Sequence, residues 1–335
     1  MKNYEQGLCS ICCLGYKHVN FLEQNIRSIW EVDYRQIEII ALDDGSNDGS
    51  AELLYSLANQ SPIPMKVVIQ NNTGNIAKNL NKISKMANGE FLIGISLDDY
   101  FLPTILSKKL NIINLNKNLA FIGSSSVVIV DQFGNFIKNE VIDLPFNVNI
   151  DYLLELEYSN LGSIFLQDCI VRSEIFNYIE GYDETTLAND LTFRTKLFKY
   201  MKNNTEYTFI LLNESSFCYR KHGGNIHKNI TRQIRSVSEY LAKHWPDREP
   251  PTTYIKWVLA MIAVVPFEQY IVELTYNDTS SKLLNDPKIK KAILKSFIIS
   301  PKLRGMLKYI KDILIGIKKY IVTFFLKKII KLFCH

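Results

Sequence analysis

The chain has 335 residues, 47% of them hydrophobic and 22% charged, enough for one large domain with an appendage or two modest ones. No run approaches the roughly 18–20 consecutive apolar residues that a membrane span needs; the nearest, residues 257–267, reads as a buried helix. The amino terminus lacks a basic stretch, an apolar stretch and a small-residue cleavage site in succession, so the expectation is a cytosolic protein with reduced thiols.

In chain order, residues 8–14 form the first predicted strand, Leu8-Cys9-Ser10-Ile11-Cys12-Cys13-Leu14. Cys9 and Cys12 have C-x-x-C spacing, but successive strand residues face opposite sides and no second Cys/His pair lies at finger-like spacing. Buried thiols are expected there. Asn20, with Glu23 at the capping-box position, predicts a helix over 21–30. A second strand spans 37–42, a helix capped by Ser50 covers 51–58, and a third strand spans 65–70. A helix over 76–86 and a strand over 91–97 complete the series. Strands separated by helices imply right-handed crossovers and a mainly parallel sheet with helices on both faces, a Rossmann-like α/β fold. No G-x-G-x-x-G or Walker loop accompanies it.

From residue 120 the pattern changes. Residues 120–131 and 136–141, joined by Gln132-Phe133-Gly134-Asn135, predict an antiparallel hairpin. Helices follow over 151–156 and 191–200, and Pro250-Pro251 marks a boundary beyond which the chain is helical.

The second strand runs into Asp43-Asp44-Gly45-Ser46-Asn47-Asp48-Gly49-Ser50. Ligands of open parallel sheets bind outside the carboxyl ends of strands, so this turn is well placed, although an Asx-rich turn capping the next helix has the same composition. The fourth strand ends in Ser96-Leu97-Asp98-Asp99. Two carboxylates at the mouth of so apolar a strand repel unless a cation sits beside them. Mg²⁺ or Mn²⁺, shared with a diphosphate, fits that description.

These segments, with Tyr16, Gly74-x3-Lys78-Asn79, Ala87-Asn88-Gly89-Glu90, Pro103, Gly181-Tyr182-Asp183-Glu184 and Asn189-Asp190, resemble inverting family 2 glycosyltransferases of the GT-A fold over roughly residues 7–230. The resemblance implies a catalytic domain over 1–245, with a nucleotide-sugar half over about 1–118 and an acceptor half over about 119–245. A helical region over 246–335 follows. Asp44 would hydrogen-bond the uracil of a UDP-sugar, with Tyr16 bordering the base and Lys78 near uracil or phosphate. Asp98 and Asp99 would form the metal and diphosphate site. Asp190 would be the general base on the acceptor hydroxyl, in a position where it could also simply favour a helix start. Tyr219-Arg220-Lys221-His222, followed by two glycines, resembles the family's loop over the diphosphate, so Arg220 and His222 join the nucleotide-sugar site; basic residues beside glycine also occur in plain turns. Two positions depart from the family pattern. Ser96 stands where the D-x-D motif begins, and Asn189 stands where a glutamate precedes the base.

Nine Lys or Arg and one acid, Asp312, lie between Lys302 and Lys331, a net +8 that leaves −3 for the rest of a chain of +5. Leu303, Leu307, Ile310 and Leu314 fall on one arc of that segment and Arg304, Lys308, Lys311 and Lys318 on another, the pattern of a helix lying on an anionic membrane surface. A helix packed on the catalytic domain would look the same. The expected activity is transfer of one sugar from UDP-glucose, UDP-galactose or a UDP-N-acetylhexosamine to a polyprenyl-diphosphate-linked sugar. It would form a β-linkage in surface-polysaccharide (O-antigen) synthesis, on the cytoplasmic face of the inner membrane. No nucleic-acid partner is expected. A sugar-nucleotide pyrophosphorylase, or a carbohydrate-binding scaffold of the same fold, are the alternatives; the first lacks its glycine-rich loop after strand one, since Gly15-Tyr16-Lys17-His18 holds one glycine.

Overall fold

Apolar residues run almost unbroken through β1 (Glu5–Gly15) because both faces of this strand are covered. Parallel β2 (Ile37–Asp43) and β4 (Gly89–Ser96) pair on its two sides, and β3 (Met65–Ile69) pairs with β2. The crossovers carry α1 (Leu22–Trp30), α2 (Ser50–Gln60) and α3 (Ile76–Met86). Cys9, Cys12 and Cys13 are buried and unbridged, and burial pushes the Cys12 thiol up to about 12. The computed structural model describes residues 2–161, 168–223 and 229–299.

Two helix starts differ from their expected caps. Phe21, not Asn20, holds the N-cap position of α1, and the N–H groups of Phe21 and Leu22 donate to the His18 carbonyl. Gly49, at φ 95°, holds that position in α2; Ser50 is its first residue, with N–H and hydroxyl both donating to Asp48. In each case a backbone turn does the work assigned to a side chain.

After β5 (Tyr100–Phe101) and α4 (Pro103–Leu115), the single strand expected over 120–131 divides at Ser125. Its first part, β6 (Leu119–Ser124), stays in the large sheet, and its second, β7 (Ser126–Val130), enters a small one and pairs antiparallel with β8 (Phe136–Val141). Ser125 turns the corner by donating to Leu212 and accepting from Ile142. Further on come α5 (Ile150–Asn160), β9 (Ile170–Arg172), α6 (Ser173–Tyr178), α7 (Asn189–Asn203), β10 (Thr208–Leu212) and β11 (Phe217–Arg220). The large sheet has the order β10-β6-β9-β4-β1-β2-β3, parallel except for β9, and the small one β5-β11-β7-β8. This is the mixed α/β architecture expected, with the first hundred residues on one side of a late antiparallel strand.

The corner between the sheets is pinned by a fully buried ion pair. Lys109 Nζ on α4 donates to Asp168 Oδ2 at 2.7 Å, to Ser124 Oγ at 2.8 Å and to Ser216 Oγ at 3.0 Å. Removing one member of such a pair typically costs about 3–5 kcal/mol, because the other is left charged and unpartnered.

The chain divides into two compact units, Met1–Lys228 and Asn229–His335. The division precedes α8 (Ile230–His244), so this helix goes with the second unit, whereas a boundary at Pro250-Pro251 puts it with the first. There α8 packs with α9 (Thr252–Val264), α10 (Phe267–Leu274), α11 (Asp278–Lys282) and α12 (Pro287–Ile299) around Ile234, Tyr240, Tyr254, Val258 and Leu274. The apolar run 257–267 is interrupted at Pro266 and only one face of α9 is buried; Val264 is exposed. Among the described residues no helix is long and apolar enough to cross a membrane. The basic segment 302–331 lies outside the described residues.

Candidate functional site

The order of the large sheet reverses at β1: β2 and β3 lie to one side, β4 to the other. Ligand crevices of open α/β sheets form at the carboxyl ends of strands beside such a switch. Three loops meet there, after β1 (Tyr16 to His18), after β2 (Asp44 to Asp48) and after β4 (Leu97 to Asp99). The first two are tied together, Ser46 Oγ accepting from Lys17 N at 2.7 Å and Asp48 Oδ2 from Val19 N at 3.2 Å.

Asp44 is buried and accepts four hydrogen bonds: at Oδ1 from Gln70 Nε2 (2.7 Å) and Thr73 N (3.0 Å), at Oδ2 from Thr73 Oγ1 (3.3 Å) and Gly74 N (3.2 Å). Burial would raise its carboxyl; the donors from Gln70, Thr73 and Gly74 outweigh it and hold the group below the usual carboxylate range. With about four lone-pair positions on a carboxylate, these donors occupy them all. The group expected on a uracil ring therefore also anchors the 70–74 loop. Gly45, at φ 78°, makes this possible, since a Cβ there would lie 2.5 Å from Asn72 N. Tyr16 and Lys78 are exposed on the rim, Lys78 in the first turn of α3.

Asp98 and Asp99 separate into different roles. Asp98 Oδ2 lies 2.8 Å from His222 Nε2 and 3.7 Å from His18 Nε2, and the three residues bring ligand atoms within 4.8 Å of one another. Burial alone would raise the Asp98 carboxyl; the His222 hydrogen bond and the His18 ring lower it, so it is ionised. Burial depresses His18 and keeps its imidazole neutral, the form that ligates metals. Asp98 Oδ1 and His18 Nδ1 are buried with no hydrogen-bond partner. An ionised carboxylate, two imidazoles and orphaned polar atoms fit a divalent cation.

Asp99, expected to be a metal ligand, stands outside this cluster. Its Oδ1 accepts from Arg220 N at 2.8 Å, and burial, together with the Asp98 charge, pushes its carboxyl well above the usual range. Of the two adjacent acids, Asp98 is therefore the one that the surroundings favour in its charged form.

Arg220, expected on the nucleotide-sugar, is a buried clasp. Its Nε donates to Asp98 O at 2.8 Å, Nη1 to Gln132 O at 3.2 Å and Nη2 to Gln24 Oε1. The guanidinium lies between the rings of Phe21 (5.0 Å) and Tyr100 (5.2 Å). It positions the Asp98 turn, and two residues later the chain delivers His222, whose ring packs on Phe21 at 4.9 Å.

Asp190 opens the first turn of α7 and is solvent-exposed, yet protein surrounds it closely enough for desolvation to raise its carboxyl against the pull of Arg194. Among the described residues its carboxylate accepts no hydrogen bond, which leaves it open to a substrate hydroxyl. The preceding segment is knitted to α3: Asn81 Nδ2 donates to Tyr182 O and to Glu184 Oε1, and Tyr182 N donates back to Asn81 Oδ1. The Asn88-Gly89-Glu90 motif lies at the other end of the sheet, where Glu38 accepts from Asn88 N and Glu90 pairs with Arg172.

Two contributors were not evident from sequence. His18 follows β1 as Asp98 follows β4, and adjacency of those strands was the signal available. Asn25 Nδ2 donates to Ser96 O (3.1 Å) and Asp99 O (2.9 Å), holding the turn where the D-x-D motif lacks its first acid.

Residues 10–172 match the model of glycosyl transferase family 2. UDP-Glc:alpha-D-GlcNAc-diphosphoundecaprenol beta-1,3-glucosyltransferase WfaP of Escherichia coli is 25% identical over 236 residues, 70% of this chain and 85% of that protein. An uncharacterized glycosyltransferase of Rickettsia conorii is 27% identical over 199 residues, 57% of this chain but only 32% of the relative. Among solved structures, S. aureus TarS 1–349 in complex with UDP-GlcNAc has a TM-score of 0.56 at 16% identity, covering 86% of this chain and 88% of that one. The mannosyltransferase PcManGT from Pyrobaculum calidifontis, in complex with GDP-Man and Mn²⁺, has a TM-score of 0.52 at 13% identity, with 90% and 88% covered. Both likenesses are of fold.

Proposed function

Because residues 10–172 are a glycosyl transferase family 2 domain, we propose that the chain transfers a sugar from a UDP-sugar to a lipid-linked sugar acceptor with inversion at the anomeric carbon. The observation that carries this reading is the ionised Asp98 carboxylate set between His18 and His222 at the sheet's switch point. Asp98, His18 and His222 would hold Mn²⁺ or Mg²⁺. When bound, such an ion neutralises the charge that develops on a departing diphosphate. Tyr16, Asp44 and Lys78 border the base and phosphates, Arg220 and Asn25 hold the Asp98 turn in register, and Asp190 takes the proton of the attacking hydroxyl. A base on a segment separate from the diphosphate site suits attack from the opposite face, which inverts the centre.

Two nitrogen donors beside one carboxylate favour Mn²⁺ over Mg²⁺, which prefers oxygen ligands throughout. Incubating the protein with UDP-sugars and diphosphoundecaprenol-linked GlcNAc or GalNAc should give a product heavier by one sugar in mass spectrometry. Mn²⁺ should saturate the reaction at lower concentration than Mg²⁺, and EDTA should stop it. No product from any UDP-sugar, or full turnover in metal-free protein, would overturn the reading.

The acceptor class rests on the substrate named for the Escherichia coli relative and on the basic, partly apolar segment 302–331. On this reading the protein works at the cytoplasmic face of the inner membrane, in surface-polysaccharide synthesis. Each basic residue near an anionic leaflet contributes about 1 kcal/mol, screened by salt. Removing residues 302–335 should release the protein from anionic liposomes in co-sedimentation and slow transfer to lipid-linked acceptor, with UDP release retained. Equal sedimentation of both forms would remove the membrane role.

A further inference from the structure

Behind Asp190 lies a pair of charges that binding and metal chemistry do not use. Glu157 on α5 and Arg194 on α7 are 0% and 3% exposed. Arg194 Nε donates to Glu157 Oε1 at 2.8 Å and Nη2 to Oε2 at 3.0 Å, a two-pronged pairing. Arg194 follows Asp190 by one helical turn, the spacing that puts two side chains on the same face of a helix. Packing alone gives little reason for ions here, since well-fitted apolar side chains often stabilise such a site as well or better.

We propose that the Glu157–Arg194 pair sets the electrostatic field at Asp190 and thereby the pH above which the chain can deprotonate an acceptor. The inference rests on Asp190 being the base. Among the described residues, four titratable groups interact with it: Arg194 on its own helix, Glu157 from α5, Tyr182 from the segment before α7 and Tyr219 from β11. Burial raises both tyrosines, which stay neutral through the working range. The charges that count are therefore Arg194 and Glu157. Desolvation by the surrounding protein raises the Asp190 carboxyl and Arg194 draws it back down; burial raises Glu157 too, but its two-pronged pairing with Arg194 opposes that, and Glu157 in turn holds Arg194 in place and offsets part of its charge. An arginine alone would make Asp190 a weak base, and no arginine would leave it protonated to higher pH. The pair provides an intermediate field. Both residues are positioning residues, acting through Asp190.

The test is kcat/KM for transfer against pH in the full chain. Glu157→Gln, which is isosteric and keeps one acceptor for Arg194, should move the acid limb about half to one pH unit down. Arg194→Gln should move it up by a similar amount, and the double variant should return close to wild type. Arg194→Lys, which keeps the charge, should leave the limb nearly in place. A role in folding alone would lower activity in both single variants without displacing the limb in opposite directions. An unmoved limb in folded Glu157→Gln overturns the proposal, and that variant decides the matter should Arg194→Gln fail to fold. Asp190→Asn, run in parallel, separates the two layers: wild-type rate and limb there would overturn the base assignment and this inference together. An inactive Asp190→Asn beside an unmoved Glu157→Gln limb would overturn only the tuning.

Discussion

Replacing Asp190 with asparagine should lower the turnover number for sugar transfer by about 10²–10⁴-fold, the usual contribution of a positioned general base. Asparagine keeps the shape of the side chain and its place in the first turn of α7, so the melting temperature should change little. Donor affinity, measured by calorimetry with a UDP-sugar, should also hold, because the base acts on the acceptor. The product should carry an inverted anomeric bond by NMR. Transfer at the wild-type rate would place the base elsewhere, and a retained configuration would contradict direct displacement.

The second large effect is expected at Asp98, with Asp99 as its control. Asp98→Asn removes the ionised oxygen that His18 and His222 flank. Mn²⁺ binding, followed by electron paramagnetic resonance, should weaken sharply and turnover should fall by about 10³-fold, matching the several kcal/mol a metal contributes at a developing charge. Asp99→Asn substitutes a neutral side chain for one whose charged form burial and the Asp98 charge already disfavour. Its amide oxygen can still accept from Arg220 N, so the loss should stay within about tenfold. Equal losses from the two substitutions would mean that Asp99 shares the metal. The sign of the pH effect follows from the same geometry. Asp98 is ionised down to acid pH because its folded value is depressed, so metal binding should fade only as pH falls through that depressed range or as the His18 imidazole, itself depressed by burial, protonates.

Much of the frame was legible because buried strands in a doubly covered sheet are continuous apolar runs, as β1 and β2 are, and because Asp44 and Asp98 follow such runs directly. What sequence did not give was arrangement between distant segments. The corner falls in Gly123-Ser124-Ser125-Ser126, a small polar break between two apolar runs; what sequence did not show is that the second run leaves the large sheet, because its partners β8 and β11 come later in the chain. Arg220 reads by residue type as a phosphate ligand, and only the rings of Phe21 and Tyr100 around it show a clasp. Lys109 reads as a solvated helix lysine, yet it lies with Asp168 at 0% exposure. His18 carried no pattern of its own. It becomes a candidate ligand when β1 and β4 are known to be neighbours.

The late arrival of β9 bears on how the chain is made. This strand has three residues, Ile170–Arg172, and slips between β4 and β6, both of which leave the ribosome well before it. Until then each presents an open edge, the kind of surface that recruits other chains. A nascent chain stopped short of Ile170 can assemble β1 to β4 around their crossovers but cannot join them to β6. The family 2 match ends at residue 172, on the last residue of that strand. A fragment cut between β8 and β9 should therefore aggregate during synthesis, whereas one carried past Arg172 has its central gap closed.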